Sequence, residues 1–193
     1  MEDITCVVPA EAFGIRDTIT NRNLVSEELS VELFAHFLRH QVVTKCWRKR
    51  DGAWEIQDAP FIDDWSAEEY KILVSCLKNT LATGGLVYGA FWEGKLKGFV
   101  SVEADLFGKK KEYLDLTSIH VSEDLRGHGI GRKLFGEAKR WAKEKGAQKL
   151  YISAHSAVES QAFYRSLGCT WAEECNAAHI EKEPFDCQLE YRL

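Results

Sequence analysis

Polar and apolar positions alternate most regularly over Tyr113–Val121, where Tyr-Leu-Asp-Leu-Thr-Ser-Ile-His-Val reads as a strand. The alternation stops at Arg126-Gly127-His128-Gly129-Ile130-Gly131. Beyond it Leu134, Ala138, Trp141 and Ala142 recur at helical spacing up to Gly146, a residue suited to the C′ position. Upstream, Leu33, Phe34, Phe37 and Leu38 share a helical face, which predicts a helix over about 25–40. Glu27, Glu28 and Glu32 sit near its start, where the dipole favours acids. Two β-rich runs, 42–47 and 53–56, flank Lys49-Arg50-Asp51-Gly52, a hairpin signal across which Trp47 and Trp54 are expected to pair. Ser66 and Glu69 form a capping box. It opens a helix carrying Tyr70, Leu73, Val74, Leu77 and Leu81, which stops at Gly84-Gly85. A second hairpin joins Leu86–Trp92 to 95–103 through Glu93-Gly94. Lys149–Ala154 reads as a buried strand and Val158–Leu167 as a short helix ended by Gly168. Strands at 169–171 and 185–191 close the chain around a polar loop, 176–184, and Thr5-Cys6-Val7-Val8 is compatible with one more.

A strand, a glycine-rich turn and a helix make a device for gripping phosphate. Glycines let the backbone approach an anion, and the first helical turn offers unpaired N–H groups and a positive dipole end. A dinucleotide fingerprint would need glycine where Arg132 stands, and a Walker loop is broken between Gly127 and Arg132. What remains is R-x-x-G-x-G, Arg126 to Gly131. This resembles the acetyl-CoA-binding motif of the GNAT N-acetyltransferase superfamily. The same superfamily ends its cofactor domain on a helix reading N-x-x-A-x-x-x-Y-x-x-x-G-F. Here Tyr164 and Gly168 match four residues apart, while Ala157, Ser160 and Cys169 replace the Asn, Ala and Phe. The resemblance covers residues 86–193 or thereabouts.

The resemblance implies an α/β (α+β) fold: a mixed, mostly antiparallel central sheet with helices on both faces. It is expected as a single domain over 1–193, with 1–85 on the acceptor side and 86–193 binding acetyl-CoA. It implies acetyl transfer from acetyl-CoA, as cosubstrate, to a primary amine of a small molecule or peptide by direct attack. A non-catalytic CoA-binding regulatory module and a transferase of longer acyl groups stand as alternatives. Main-chain groups of Arg126, Gly127, His128, Gly129, Ile130 and Gly131, with Arg132, would hold the pyrophosphate. Main-chain groups of Ile119, His120 and Val121, beside an irregularity in the strand, would face the thioester. Such donors act as an oxyanion hole. Ser156 and Ser160 are candidate donors to the cofactor arm.

By the same resemblance Tyr164 is the general acid for the departing thiolate. Asp115 is the leading candidate for the base, ahead of Glu103. Strand periodicity puts Asp115 and Thr117 on the face of Ile119 and Val121 unless the irregularity shifts the register. His120 attracts notice by its pKa range alone, and a packed strand histidine is the plainer reading. His128 occupies a variable loop position and is given no proton-transfer role. The acceptor pocket is expected within 24–85, lined by Trp47, Trp54 and Trp65.

Composition narrows the rest. With 193 residues, 45% apolar, the chain can bury a full core. No apolar run approaches the ~20 residues of a membrane span, and the N-terminus lacks a signal-peptide layout. Six cysteines without a C-x-x-C pair fit a reducing cytoplasm and core thiols better than metal or disulfides. The histidines show no metal-ligand spacing. A net charge of −5 argues against nucleic acid and suits cationic amines. A monomer or a homodimer is expected.

Overall fold

The structure is a computed structural model and describes residues 18–193, so the strand compatible with Thr5-Cys6-Val7-Val8 lies outside it. The chain runs β1 (Thr20–Asn23), β2 (His40–Arg50), β3 (Ala53–Asp64), α1 (Ala67–Ala82), β4 (Leu86–Trp92) and β5 (Lys95–Val102). It continues β6 (Tyr113–Val121), α2 (Ile130–Glu144), β7 (Lys149–Ala154), α3 (Val158–Leu167), β8 (Thr170–Trp171), α4 (Ala177–Lys182) and β9 (Cys187–Arg192). Seven strands form one sheet in the order β1-β4-β5-β6-β7-β9-β8, and β2-β3 stand apart as a two-stranded ribbon. Every pairing within the larger sheet is antiparallel except β6 with β7.

Alternation along β4 and β5 builds two cores. Leu86, Ala90, Val100 and Val102 join Ile130, Leu134, Phe135 and Ala138 of α2 on one face. Val87, Phe91, Leu96 and Phe99 join Val74 and Leu77 of α1 on the other. The capping box at Ser66 is formed in both directions, Glu69 N–H to Ser66 Oγ and Ser66 N–H to the Glu69 carboxylate.

The helix expected over 25–40 is absent. Its place is taken by two 3-10 turns, Ser26–Glu28 and Val31–Phe34, with extended backbone between them. Leu24, Leu29, Phe34 and Phe37 all enter the α1-side core. Steps of five residues turn an α-helix by about 140°, so a regular helix would point Leu24, Leu29 and Phe34 in different directions. The broken path brings them together, with Phe34 and Phe37 at 5.5 and 5.6 Å from the Phe99 ring.

The β2–β3 hairpin is longer than its sequence signal and turns through Asp51 (φ 49°) and Gly52 (φ 85°), the positive pair that a type I′ turn requires. Its register sets Lys49 opposite Trp54 and Trp47 opposite Ile56, so the two tryptophans do not pair. Trp54 instead stacks on Trp171 at 4.9 Å, and the Arg165 guanidinium lies 4.4 Å over Trp47. Cys46 bridges to Ala157, and Trp47 N–H donates to Ser156 O (2.8 Å), so the ribbon is docked on the turn that starts α3.

Two irregularities shape β6. Its ladder to β7 covers only Tyr113, Asp115 and the residue between them, facing Lys149 to Tyr151. That end is clamped: Tyr113 Oη donates to Glu190 (2.6 Å), and buried Lys149 reaches Glu173 (2.7 Å) and Glu190 (3.2 Å). From 116 to 121 no strand among the described residues pairs with β6 on that side. On the other side Ser101 opposes Ser118 while Val102 opposes Leu116, leaving Thr117 as a bulge.

A candidate acyl-transfer site between two parting strands

The glycine-rich turn leaves β6 through a 3-10 turn, Glu123–Leu125, and enters α2 at Gly129. Gly127 and Gly129 both hold φ +81°, which side chains other than glycine's resist, and a Cβ on either would meet nothing within 4 Å. No side chain caps α2, so its first N–H groups stay open above this bare backbone. Gly131 serves packing instead, since a Cβ there would come 3.0 Å from the Phe163 ring of α3. Arg126 Nε donates to Val121 O (3.3 Å). Burial, and then the like charge of Arg39, pull its pKa below the ordinary arginine value, a state that an anion relieves. Arg132 reaches Ser166 at 3.4 Å, and His128 Nδ1 lies 3.0 Å from Arg126 O, bracing the loop. An uncapped helix start, two open glycines and flanking cations fit a pyrophosphate.

Main-chain polarity along the end of β6 follows from one bond. Ser122 N–H donates to Lys97 O, across towards β5. By the alternation of an antiparallel ladder, His120 turns its amide to β5 as well, while Ile119 and Val121 turn theirs to the side that β7 has left. Of the three residues expected to face a thioester, Ile119 and Val121 thus turn their amides to the gap, while His120 spends its own towards β5. Tyr164, buried on α3, belongs to the same core as Ile119 and Val121. Among the described residues no hydrogen bond reaches its hydroxyl. Burial, reinforced by Cys169 and Asp186, holds its phenol well above the ordinary range, so it stays protonated. Ser160 stands half-buried in the first turn of α3. Ser156 accepts from Arg48 (2.6 Å), and Ala157 is fully buried under Cys46 and Val43. Gln161 escaped sequence reasoning: it is buried, donates to His155 O (2.9 Å), and leaves its Oε1 without a partner.

The bulge at Thr117 overturns the simple face assignment. Leu114 and Leu116, then Ile119 and Val121, pack in the α2-side core, so Asp115 faces the opposite side, with Tyr113. The extra residue shifts the alternation by one. On this opposite face the Thr117 hydroxyl lies 2.8 Å from that of Ser101, and Glu103 accepts from Thr80 Oγ1 (2.6 Å). Asp115 is not free: its Oδ2 meets His179 Nε2 at 2.5 Å, and its Oδ1 is buried without a partner. His179 comes from α4, which occupies the stretch expected as loop. Asn176 caps that helix, accepting from Ala178 N–H (3.0 Å), a signal present in the sequence and passed over.

His120 is the packed histidine of the plainer reading. Its ring sits 4.7 Å from Trp65 and 5.4 Å from Phe99. Burial above all, then Arg39 and Arg126, push its pKa down to about 3, so it is neutral at working pH. Of the three tryptophans expected to line an acceptor pocket, only Trp65 lies on this side, against His120. Phe61 of the ribbon lies 5.6 Å from His155. No helix among the described residues is long and apolar enough to cross a membrane.

Residues 50–169 match the sequence model of the Acetyltransferase (GNAT) family. No curated protein sequence matches the chain. Among solved structures it resembles nourseothricin acetyltransferase at 19% identity and TM-score 0.63, over 90% of this chain and 96% of that one. It also resembles a protein named as a streptothricin acetyltransferase from Bacillus anthracis, in complex with acetyl coenzyme A, at 16% identity and TM-score 0.65, over 91% and 98%. PaiA N-acetyltransferase from Thermoplasma acidophilum, in complex with coenzyme A, is similar at 18% identity and TM-score 0.57, over 91% and 99%. At these identities the likeness is one of fold.

Proposed function

The chain belongs to the GNAT acetyltransferase family, and from that premise we propose that it moves the acetyl group of acetyl-CoA to a primary amine of a small molecule or peptide. The observation that carries this reading is the gap beyond Asp115, where β6 loses β7 just ahead of an uncapped, glycine-led helix. Arg126 spends its own N–H on Glu123 O (3.2 Å), so the open N–H groups of 127–131, with the side chains of Arg126 and Arg132, would hold the pyrophosphate. Ile119 and Val121 would donate their amides to the thioester oxygen, and Ser160 stands where the cofactor arm passes. Acetyl-CoA supplies the activated acetyl group. Tyr164 gives its proton to the departing sulfur. Asp115 stands on the acceptor side, where the amine must lose a proton before it attacks.

The acceptor class is drawn from charge. Asp115 and Asp186 lie beside His179 of α4, and the chain carries −5 overall, which favours a cationic amine. Calorimetric titration with acetyl-CoA, free CoA and NADPH tests the loop, and thiol release across a panel of primary amines tests the chemistry. The expected result is binding of both CoA forms and not NADPH, with turnover on at least one amine. Tyr164→Phe should lower kcat by about 100-fold or more while leaving acetyl-CoA affinity within twofold. Folded protein that binds neither CoA form overturns the reading; binding without thiol release leaves a CoA-binding module in its place.

A further inference from the structure

We propose that His179, held by Asp115, is the group that takes the proton from the attacking amine, with Asp115 as its positioning residue. This rests on the acetyltransferase reading above and names its base. Asp115 corresponds to the carboxylate that sequence alone would make the base, yet the structure gives it a partner 64 residues away. The 2.5 Å contact joins Asp115 Oδ2 to His179 Nε2, so the imidazole donates from Nε2 and carries its lone pair on Nδ1. Among the described residues nothing hydrogen-bonds to that Nδ1. The His179 side chain keeps 25% of its surface exposed and that of Asp115 13%, so the imidazole is the more accessible end of the pair. The histidine is also braced, its ring lying 5.6 Å from that of buried Tyr151, whose hydroxyl accepts from Asn176 N–H at the start of α4 (2.9 Å).

The charged groups around His179 are Asp115 from β6, Asp186 ahead of β9 and Lys182 on its own helix, with the Tyr151 phenol beneath from β7. The Asp115 hydrogen bond dominates and raises the imidazole pKa above the ordinary 6.5, against the opposing effects of burial and Lys182. A base poised in that direction suits an amine that arrives protonated. The protons balance as follows. An ammonium gives one proton to His179 Nδ1, which passes it to solvent. The nitrogen then bonds the acetyl carbon as the carbon–sulfur bond breaks. The second proton leaves the nitrogen for solvent, the Tyr164 proton goes to sulfur, and solvent restores the phenol.

The test uses the full chain with an amine that the wild type acetylates. Kinetics are recorded across pH for wild type, His179→Gln and Asp115→Asn, and the His179 imidazole is titrated by NMR in wild type and Asp115→Asn. For wild type, kcat should rise with pH through the imidazole pKa and then level off. His179→Gln should lose about 100-fold or more in kcat at neutral pH, with acetyl-CoA affinity unchanged, and recover at alkaline pH where the amine is already neutral. The imidazole should titrate above 6.5 in wild type and fall towards it in Asp115→Asn. A His179→Gln enzyme with the wild-type rate and pH profile overturns the inference, as does an imidazole indifferent to Asp115→Asn. If His179→Gln loses helix α4, the NMR titration still tests the pairing, and a wild-type kcat profile that does not follow the imidazole pKa measured by NMR overturns the inference. A wild type that releases no thiol with any amine overturns the acetyltransferase reading, and this inference with it. Failure of the inference alone shows only in the comparison of wild type with variant.

Discussion

Gly129 and Gly131 are two residues apart in one motif and are small for different reasons. Gly129 holds φ +81° with empty space where a Cβ would stand, so its constraint is conformational. Gly131 has no positive φ and is limited by the Phe163 ring. Gly129→Ala should therefore cost about 1–2 kcal/mol from forcing a side chain into the left-handed region. It should also weaken acetyl-CoA by spoiling the backbone path. Urea denaturation and calorimetry on one sample check both, and an alanine variant with unchanged midpoint and affinity would show that the loop is not held in this conformation. Ala157 carries the same lesson. Where the resembled pattern has Asn, this chain buries a methyl group under Cys46 and Val43, so the missing asparagine is explained by the ribbon docked on it.

At the scale of elements, the β2–β3 ribbon stands outside the seven-stranded sheet and is held at its flank, with Trp47 and Trp54 packed against the α2-side core. Its contacts include Trp54 on Trp171, Arg165 over Trp47, the backbone bond of Trp47 to Ser156, the Cys46–Ala157 bridge and Arg48 to Ser156 Oγ. Restoring the asparagine as Ala157→Asn should overpack that seam and cost about 1–3 kcal/mol. The same change should loosen the ribbon, read as faster amide exchange in β2 at Val43 and Cys46 with little change in β5. Exchange rates unaltered throughout would mean that the seam tolerates the larger side chain. The bulge at Thr117 is the other decisive element. It puts Ile119 and Val121 on the α2-side face and leaves Asp115 on the opposite one, so under the proposed reaction one strand would serve both halves.

For the whole molecule, two histidines give stability opposite dependences on pH. His120 is held neutral, its pKa pushed down to about 3 by burial, while the unfolded chain protonates near 6.5. Its contribution is complete above 6.5 and is lost as pH falls towards 3. His179 is raised by Asp115, so its contribution is complete below 6.5 and is lost as pH climbs through the raised value. Carboxylates held below their ordinary range, such as Glu28, Glu69 and Glu173, lose their contribution only below about 4.5. Urea midpoints measured from pH 5 to 9 should therefore peak near 6.5. His120→Gln should flatten the acid limb and His179→Gln the alkaline one. A profile that both substitutions leave intact would mean that neither ring sits in the environment described.

What the sequence determined by itself was whatever lies within about fifteen residues of chain. Strand, turn and helix from Tyr113 to Gly146, the capping box at Ser66, the Asp51-Gly52 turn and the Tyr164–Gly168 helix end each depend on neighbours in sequence, and local backbone chemistry decides them. The family followed from those motifs. What the fold alone decided needed distant partners. The 25–40 segment gave up a helix because the core around Phe99 wanted Leu24, Leu29, Phe34 and Phe37 together. The face of Asp115 turned on one bulged residue, which alternation along a single strand cannot reveal. The tryptophans were redistributed by register and docking, and His179 reached Asp115 only because α4 folds back over β6 and β7. Local patterns encode elements; long-range packing chooses which side chains meet, and in this protein that choice brings His179 to Asp115.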